Sequence, residues 1–420
     1  MKKIAYQEAL IIVIGLLLLP TSVRSGDFTL SGYTEAGKRS TADDYQEEGT
    51  DNDYAYRNYH LKLEQKISDR LSYDISSFVY DKKYSASDSL DNISRIFKTN
   101  WSYFAKKTRD KSLELGFDVN YKERRYEHLP KDEYDEIRVA SSVGFDKRDL
   151  YAVDLALGID NFDYLKHNQK DELKLFVRVG GKRYFLEKKL SLSGSYKLEN
   201  TKQKQVGRQR TKQEILGGLD YIFDLPWIYK ITAKWEWGAR DTKDDEARDE
   251  DFDYKYWRYA AKTEHRISPK LKTDIAYEYF KKDYLSADLD HRGFYIRNSW
   301  DYEVLDDAKK RIGFGFGYEH KDVKYSLISG DDYRKETLGL DASYKKKKDW
   351  GVSLGLEQNF YDFSGLGNDK ERTYVLLSGE KSLFEGDLVL SLDLKYRYTN
   401  YEQRQDSEQQ AIRFSFEYRF

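Results

Sequence analysis

The chain has no cysteine among its 420 residues, which removes disulfides and thiolate metal ligands from consideration. Proline is almost as scarce, with four residues: Pro20, Pro130, Pro226 and Pro269. Proline cannot donate to a sheet ladder, and the last three all fall where a loop or turn is expected. Beyond Leu19 no apolar run is long enough to cross a bilayer as a helix. A net charge of −2 gives no general reason to expect nucleic-acid binding. Motifs of common chemistry are missing too: there is no GxSxG elbow, no HExxH pair and no phosphate-cradling glycine loop. "GFGFG" at 313–317 has no helix after it and reads as small residues within a strand. The six histidines (His60, His128, His167, His265, His291 and His320) lie in separate segments without ligand spacing. No catalytic, cofactor-binding or metal-ligating residue stands out, and neither enzymatic activity nor a cofactor is expected.

What is abundant is charge and aromaticity together. Charged residues make up 35% and aromatics 15%, with 37 tyrosines. Disordered chains are poor in aromatics, so the charge does not mean disorder. The two classes coexist when they occupy opposite faces of the same strands. "SLELGFDVNY" places Leu113, Leu115, Phe117, Val119 and Tyr121 on one face. "LYAVDLALGI" does the same with Tyr151, Val153, Leu155, Leu157 and Ile159. "DLVLSLDLKYRY" sets Leu388, Leu390, Leu392 and Leu394 against Ser391, Asp393, Lys395 and Arg397. Such period-two alternation predicts β-strands with two different environments.

The last ten residues, "AIRFSFEYRF", alternate Ile412, Phe414, Phe416, Tyr418 and Phe420 with Arg413, Ser415, Glu417 and Arg419. A soluble edge strand of this kind would invite aggregation. The pattern instead resembles the C-terminal signal of bacterial outer-membrane barrels, with Phe416, Tyr418 and Phe420 as its core. That resemblance implies recognition by the barrel-assembly machinery. At the other end, Lys2 and Lys3 precede the apolar run "ALIIVIGLLLL" and Pro20, which reads as a signal peptide over residues 1–25. A barrel domain is expected over 26–420, with no plug before its first strand.

Counting the alternating runs predicts an all-β, antiparallel, up-and-down transmembrane barrel of about 20 strands, with 18 or 22 left open. The first strand is expected over 27–36. Short turns alternate with longer loops, which the resemblance places in the periplasm and outside the cell respectively. Trp227 and Trp350, each just after a short turn, are expected in the periplasmic aromatic girdle. The competing fold is a solenoid or a pair of packed sandwiches, which would bury its apolar faces against each other. Many runs exceed the roughly 9–11 residues that a tilted strand needs to cross a bilayer, so strands should project beyond it.

The whole chain therefore resembles the broad class of outer-membrane porin-like β-barrels. The resemblance implies a multi-pass protein of the bacterial outer membrane, in contact with lipid and lipopolysaccharide, passing hydrophilic solutes. Two alternatives stay open: an export channel for polysaccharide, and a sheath or scaffold around partner proteins. Oligomeric state and substrate are not readable. Sorting residues by face predicts an acidic wall with Asp118, Asp154 and Asp160. Beside it lies a basic wall with Arg178, Lys182, Lys230, Lys234, Arg240, Arg258 and Lys262. These ten are the candidate pore-lining residues. The acidic segments at 43–53 and 241–253 read as solvated external loops, with weak Ca²⁺ or Mg²⁺ binding as the alternative. The 241–253 segment lacks the central glycine and ligand spacing of a calcium loop.

Overall fold

The computed structural model describes residues 28–42, 54–84, 91–126, 133–166, 170–204, 207–225, 227–243, 253–285, 290–307, 309–326, 332–347, 349–364, 369–384, 387–402 and 406–419. The segment expected to be a signal peptide, all of the 43–53 segment, most of the 241–253 segment and Phe420 lie outside these residues. Twenty strands follow one another. The first ten are β1 (Phe28–Ala42), β2 (Tyr54–Lys66), β3 (Leu71–Tyr84), β4 (Asn92–Lys107), β5 (Lys111–Tyr126), β6 (Tyr134–Lys147), β7 (Tyr151–Tyr164), β8 (Glu172–Phe185), β9 (Leu190–Gln203) and β10 (Gln209–Ile222). The second ten are β11 (Lys230–Lys243), β12 (Tyr254–Ser268), β13 (Leu271–Tyr284), β14 (His291–Asp306), β15 (Lys310–Tyr325), β16 (Tyr333–Lys346), β17 (Trp350–Phe363), β18 (Lys370–Leu383), β19 (Leu388–Tyr401) and β20 (Asp406–Arg419).

Each strand pairs antiparallel with its sequence neighbours, and β1 also pairs with β20 from Thr29↔Arg419 to Ala42↔Asp406. The sheet is thus closed, and no strand edge is left open. β1 runs to Ala42 rather than stopping at residue 36. Its polar end stays extended because Lys38 and Arg39 have ladder partners on both sides, in β2 and β20. Side-chain alternation does not report on that.

A packed sandwich would bury its large apolar residues, and here few are buried. Leu155, Leu157 and Ile159 are 39%, 47% and 50% exposed, and Leu392 and Phe414 are similarly open. Along β7 the apolar face covers Tyr151 to Ile159, about the span of a bilayer-crossing strand. Above this belt the same face becomes ionic. Arg125 pairs with Asp135 at 2.6 Å and Lys281 with Asp283 at 2.7 Å. The apolar belt therefore faces lipid, and the strands extend beyond it into water. This is a transmembrane barrel of the outer-membrane type. Trp227 and Trp350 are exposed beside short turns at one rim, and Trp350 lies 4.9 Å from Tyr344.

At the opposite rim a recurring hydrogen bond closes the longer hairpins. The carboxylate heading one strand accepts the amide N–H of the aromatic residue ending the previous one. Asp91 does so for Tyr84 (2.6 Å), Asp171 for Tyr164 (2.7 Å), Asp332 for Tyr325 (2.6 Å) and Asp369 for Phe363 (2.7 Å). A backbone donor that would lose its ladder partner at the strand end is satisfied in this way. The second half-barrel, β11–β20, also echoes the first. The β4–β5 ladder breaks register between Phe104 and Lys106, and the β14–β15 ladder breaks at the matching place, between Glu303 and Leu305.

Candidate functional site

The face opposite the apolar belt is the concave one, and side chains from strands two apart converge there. Lys395 of β19 reaches Glu35 of β1 across β20, at 2.9 Å. Tyr256 of β12 donates to Glu214 of β10, at 3.1 Å. All ten pore-lining candidates share the ladder rows of this face. Asp118 stands opposite Asn100, Asp154 opposite Gly180, and Asp160 is buried opposite Arg138 and Lys174.

The basic candidates are not a free positive wall. Arg178 lies 3.5 Å from Asp154, which joins the two expected walls. Asp220 accepts from Thr232 at 2.7 Å and lies 3.3 Å from Lys230 and 3.8 Å from Lys182. Arg240 is 3.8 Å from Asp253. Arg258 pairs with Glu278 at 2.7 Å and approaches Glu236 at 3.9 Å. Lys262 is 3.3 Å from Glu264 and 3.8 Å from Asp274. Lys234 is the exception, with no carboxylate partner among the described residues; it stands opposite Gly218 and Ala260. Sorting the sequence into acidic and basic walls left out Glu199, Glu214 and Asp220. Glu199 and Glu214 alternate with Lys197 and Lys212 on β9 and β10, Asp220 meets Lys230 and Lys182, and together they take up much of the basic charge. The available signal was parity: Glu199 and Glu214 lie two residues from those lysines, and Asp220 lies an even number of residues from Lys212, on the same face of its strand.

The "GFGFG" glycines also face inward. Gly315 leaves room for the Asp341 carboxylate, which an added Cβ would strike, and Gly317 opens onto empty space. Among the described residues no cluster of His, Asp and Glu is arranged to hold a metal ion.

Near the looped rim the inner face changes character. Aromatic rings alternate there with cations that sit over them. Lys174 lies 5.6 Å from the Phe162 ring, Lys335 5.6 Å from Tyr361, and Lys370 5.0 Å from Tyr361. At the seam of the barrel, Glu35 is 6% exposed and accepts from Arg413 at 2.7 Å as well as from Lys395. Neither the rings nor the seam was singled out from sequence. Of the C-terminal signal, Phe416 and Tyr418 lie in ladder rows of the lipid face, opposite Gly32 and Leu30.

No protein-family model and no curated protein matches the sequence. Solved structures do match in fold. The outer membrane transporter YddB from Escherichia coli aligns over 94% of this chain and 81% of its own, at 8% identity and a TM-score of 0.57. The alcaligin outer membrane receptor FauA from Bordetella pertussis aligns over 93% and 76%, at 9% identity and a TM-score of 0.51. These similarities concern the fold: a closed outer-membrane barrel.

Proposed function

We propose that the protein is an outer-membrane channel for hydrophilic solutes. One observation carries the reading: the inner face is polar and charged from rim to rim, and its ion pairs lie along the wall. Barrels of about 16–18 strands already enclose an aqueous lumen, and this one has twenty. A water-facing wall in a barrel of that width supports diffusion more than sealing. Lys234, unpaired among its neighbours, is the inner-wall cation best placed to favour anions.

Lipid and lipopolysaccharide are the surroundings that fit the apolar belt and the ionic collar above it. The barrel-assembly machinery is the partner that the C-terminal pattern fits. Purified protein in a planar bilayer should give stepwise conductance. A folded barrel that inserts without steps would overturn the channel reading and favour a sheath around partner proteins. The polysaccharide-export alternative is favoured by the ring-lined rim, because aromatic surfaces suit the C–H faces of sugars.

A further inference from the structure

The two half-barrels carry the same device on opposite walls. In the first half, the Lys82 ammonium of β3 lies 3.6 Å from the centre of the Tyr54 ring and 4.3 Å from that of Tyr84. In the second, Lys282 of β13 lies 3.8 Å from Tyr254 and 4.6 Å from Tyr284. Each ring pair is a cross-strand pair, with centres 5.6 Å and 5.7 Å apart. One level deeper the match continues. Tyr56 donates to Glu35 and Tyr256 to Glu236, and each of those rings covers a glycine, Gly37 or Gly238. Since β3 and β13 stand half a circumference apart in the closed sheet, the two clamps face each other across the mouth.

A cation on an aromatic face behaves differently from one in an ion pair. The ring attracts it through its quadrupole but contributes no net charge. Neither Lys82 nor Lys282 has a carboxylate partner among the described residues. Lys321, 5.3 Å from the Tyr333 ring, and Lys335 are in the same position. Deeper in the lumen the charge is largely cancelled by pairing. At the mouth Arg240 and Arg210 are also paired, with Asp253 and Glu172, but the four ring-borne lysines are not, and walls of low dielectric focus their field. The mouth thus combines three things: uncancelled ammonium groups, tyrosine hydroxyls, and apolar ring surface in contact with water.

We propose that the clamps are binding sites for carboxylate-bearing oligosaccharides. Each ammonium keeps N–H donors for a sugar carboxylate, the tyrosine hydroxyls meet sugar hydroxyls, and the ring edges meet sugar C–H groups. Two clamps on one mouth favour a chain with several carboxylates, because a second contact is then intramolecular. The inference rests on the channel reading and names the solute class that the channel takes.

The test uses refolded full-length barrel in detergent and labelled oligogalacturonate, followed by fluorescence anisotropy. Maltooligosaccharide of equal length and oligoglutamate of equal charge serve as comparison probes. Oligogalacturonate should bind, and the Lys82→Gln/Lys282→Gln double variant should weaken its Kd at least tenfold. Each single variant should weaken it less, and Lys82→Arg/Lys282→Arg should retain most of it. Folding of every variant is checked by heat-modifiable mobility. Equal affinity in the double variant, or equal binding of maltooligosaccharide, would overturn the proposal. Oligoglutamate binding as tightly would overturn the saccharide assignment and leave a plain anion collar. Conductance of the same preparations separates the two readings. Steps without binding overturn the clamps alone, and binding without steps overturns the channel alone.

Discussion

Glu35 should hold the seam where the first and last strands meet, and the seam should be the weakest ladder without it. The carboxylate is 6% exposed and accepts from Lys395 at 2.9 Å, Arg413 at 2.7 Å and Tyr56 at 3.2 Å, so it ties β1 to β19, β20 and β2 at once. Removing one partner of a fully buried ion pair costs about 3–5 kcal/mol. Lys395 and Arg413 keep 38% and 33% of their side-chain surface in water, so they recover part of that loss by hydration. Hydrogen bonds to charged groups are each worth about 1.5–3 kcal/mol net. Glu35→Gln keeps the size and the Tyr56 bond, and should cost about 2 kcal/mol by the same reasoning. Glu236 is the matched control. It holds the same Tyr256 contact, at 2.6 Å, but lies within the continuous sheet and meets its arginine only at 3.9 Å. Glu236→Gln should cost about 1 kcal/mol or less, in the range of a surface ion pair. Urea unfolding of the refolded barrel, read by tryptophan fluorescence, compares the two midpoints. Equal shifts, or no shift at Glu35→Gln, would refute the idea that the seam depends on this carboxylate.

On the lipid face, Leu392→Arg should destabilise by about 2–4 kcal/mol, whereas inward Ser378→Asn should change stability by less than about 0.5 kcal/mol. Equal mildness in urea unfolding would mean that the two faces are assigned the wrong way round. Replacing Arg178, Lys234 and Lys262 together by Gln should move the reversal potential across a salt gradient toward cations. Lys234→Gln alone should supply most of that movement, since the other two are already paired with carboxylates; an unchanged potential would show that the wall does not set selectivity. Deleting Phe420 should reduce the amount of heat-modifiable barrel in the outer membrane, and undiminished insertion would remove the terminal aromatic from the assembly signal.

The strands were legible in the sequence because each crosses one apolar and one aqueous environment, which writes a period of two into every segment. Leu388 to Leu394 against Ser391 to Arg397 is as plain in the sequence as in the ladder. Strand ends were less plain wherever both faces are wet. β1 continues through Lys38 and Arg39 to Ala42 because its neighbours supply backbone partners, and no alternation marks that extension. The carboxylates on β9 and β10 were within reach of the same parity argument, since Glu199 and Glu214 share a face with Lys197 and Lys212. Glu35 was not. Its cationic partners are 360 and 378 residues away, and only closure of the barrel brings them together.

That closure also decides which charges matter to a solute. Sorting by face counts every inward lysine and arginine equally, but the folded wall does not. Lys182 and Lys230 share the carboxylate of Asp220, and Arg258 lies between Glu236 and Glu278, so from the lumen these groups act as dipoles with short range. Lys82 and Lys282 lie on tyrosine rings, which hold them in place without neutralising them. Their monopole fields survive and reach further, and they stand at the rim that a solute arriving from outside meets first. Screening over about 8–10 Å at physiological salt limits such fields to the local cross-section. On the channel reading, charge sorting of a solute would therefore fall to the ring-borne cations at the mouth and to Lys234 on the wall beneath, and not to the ion-paired groups around it.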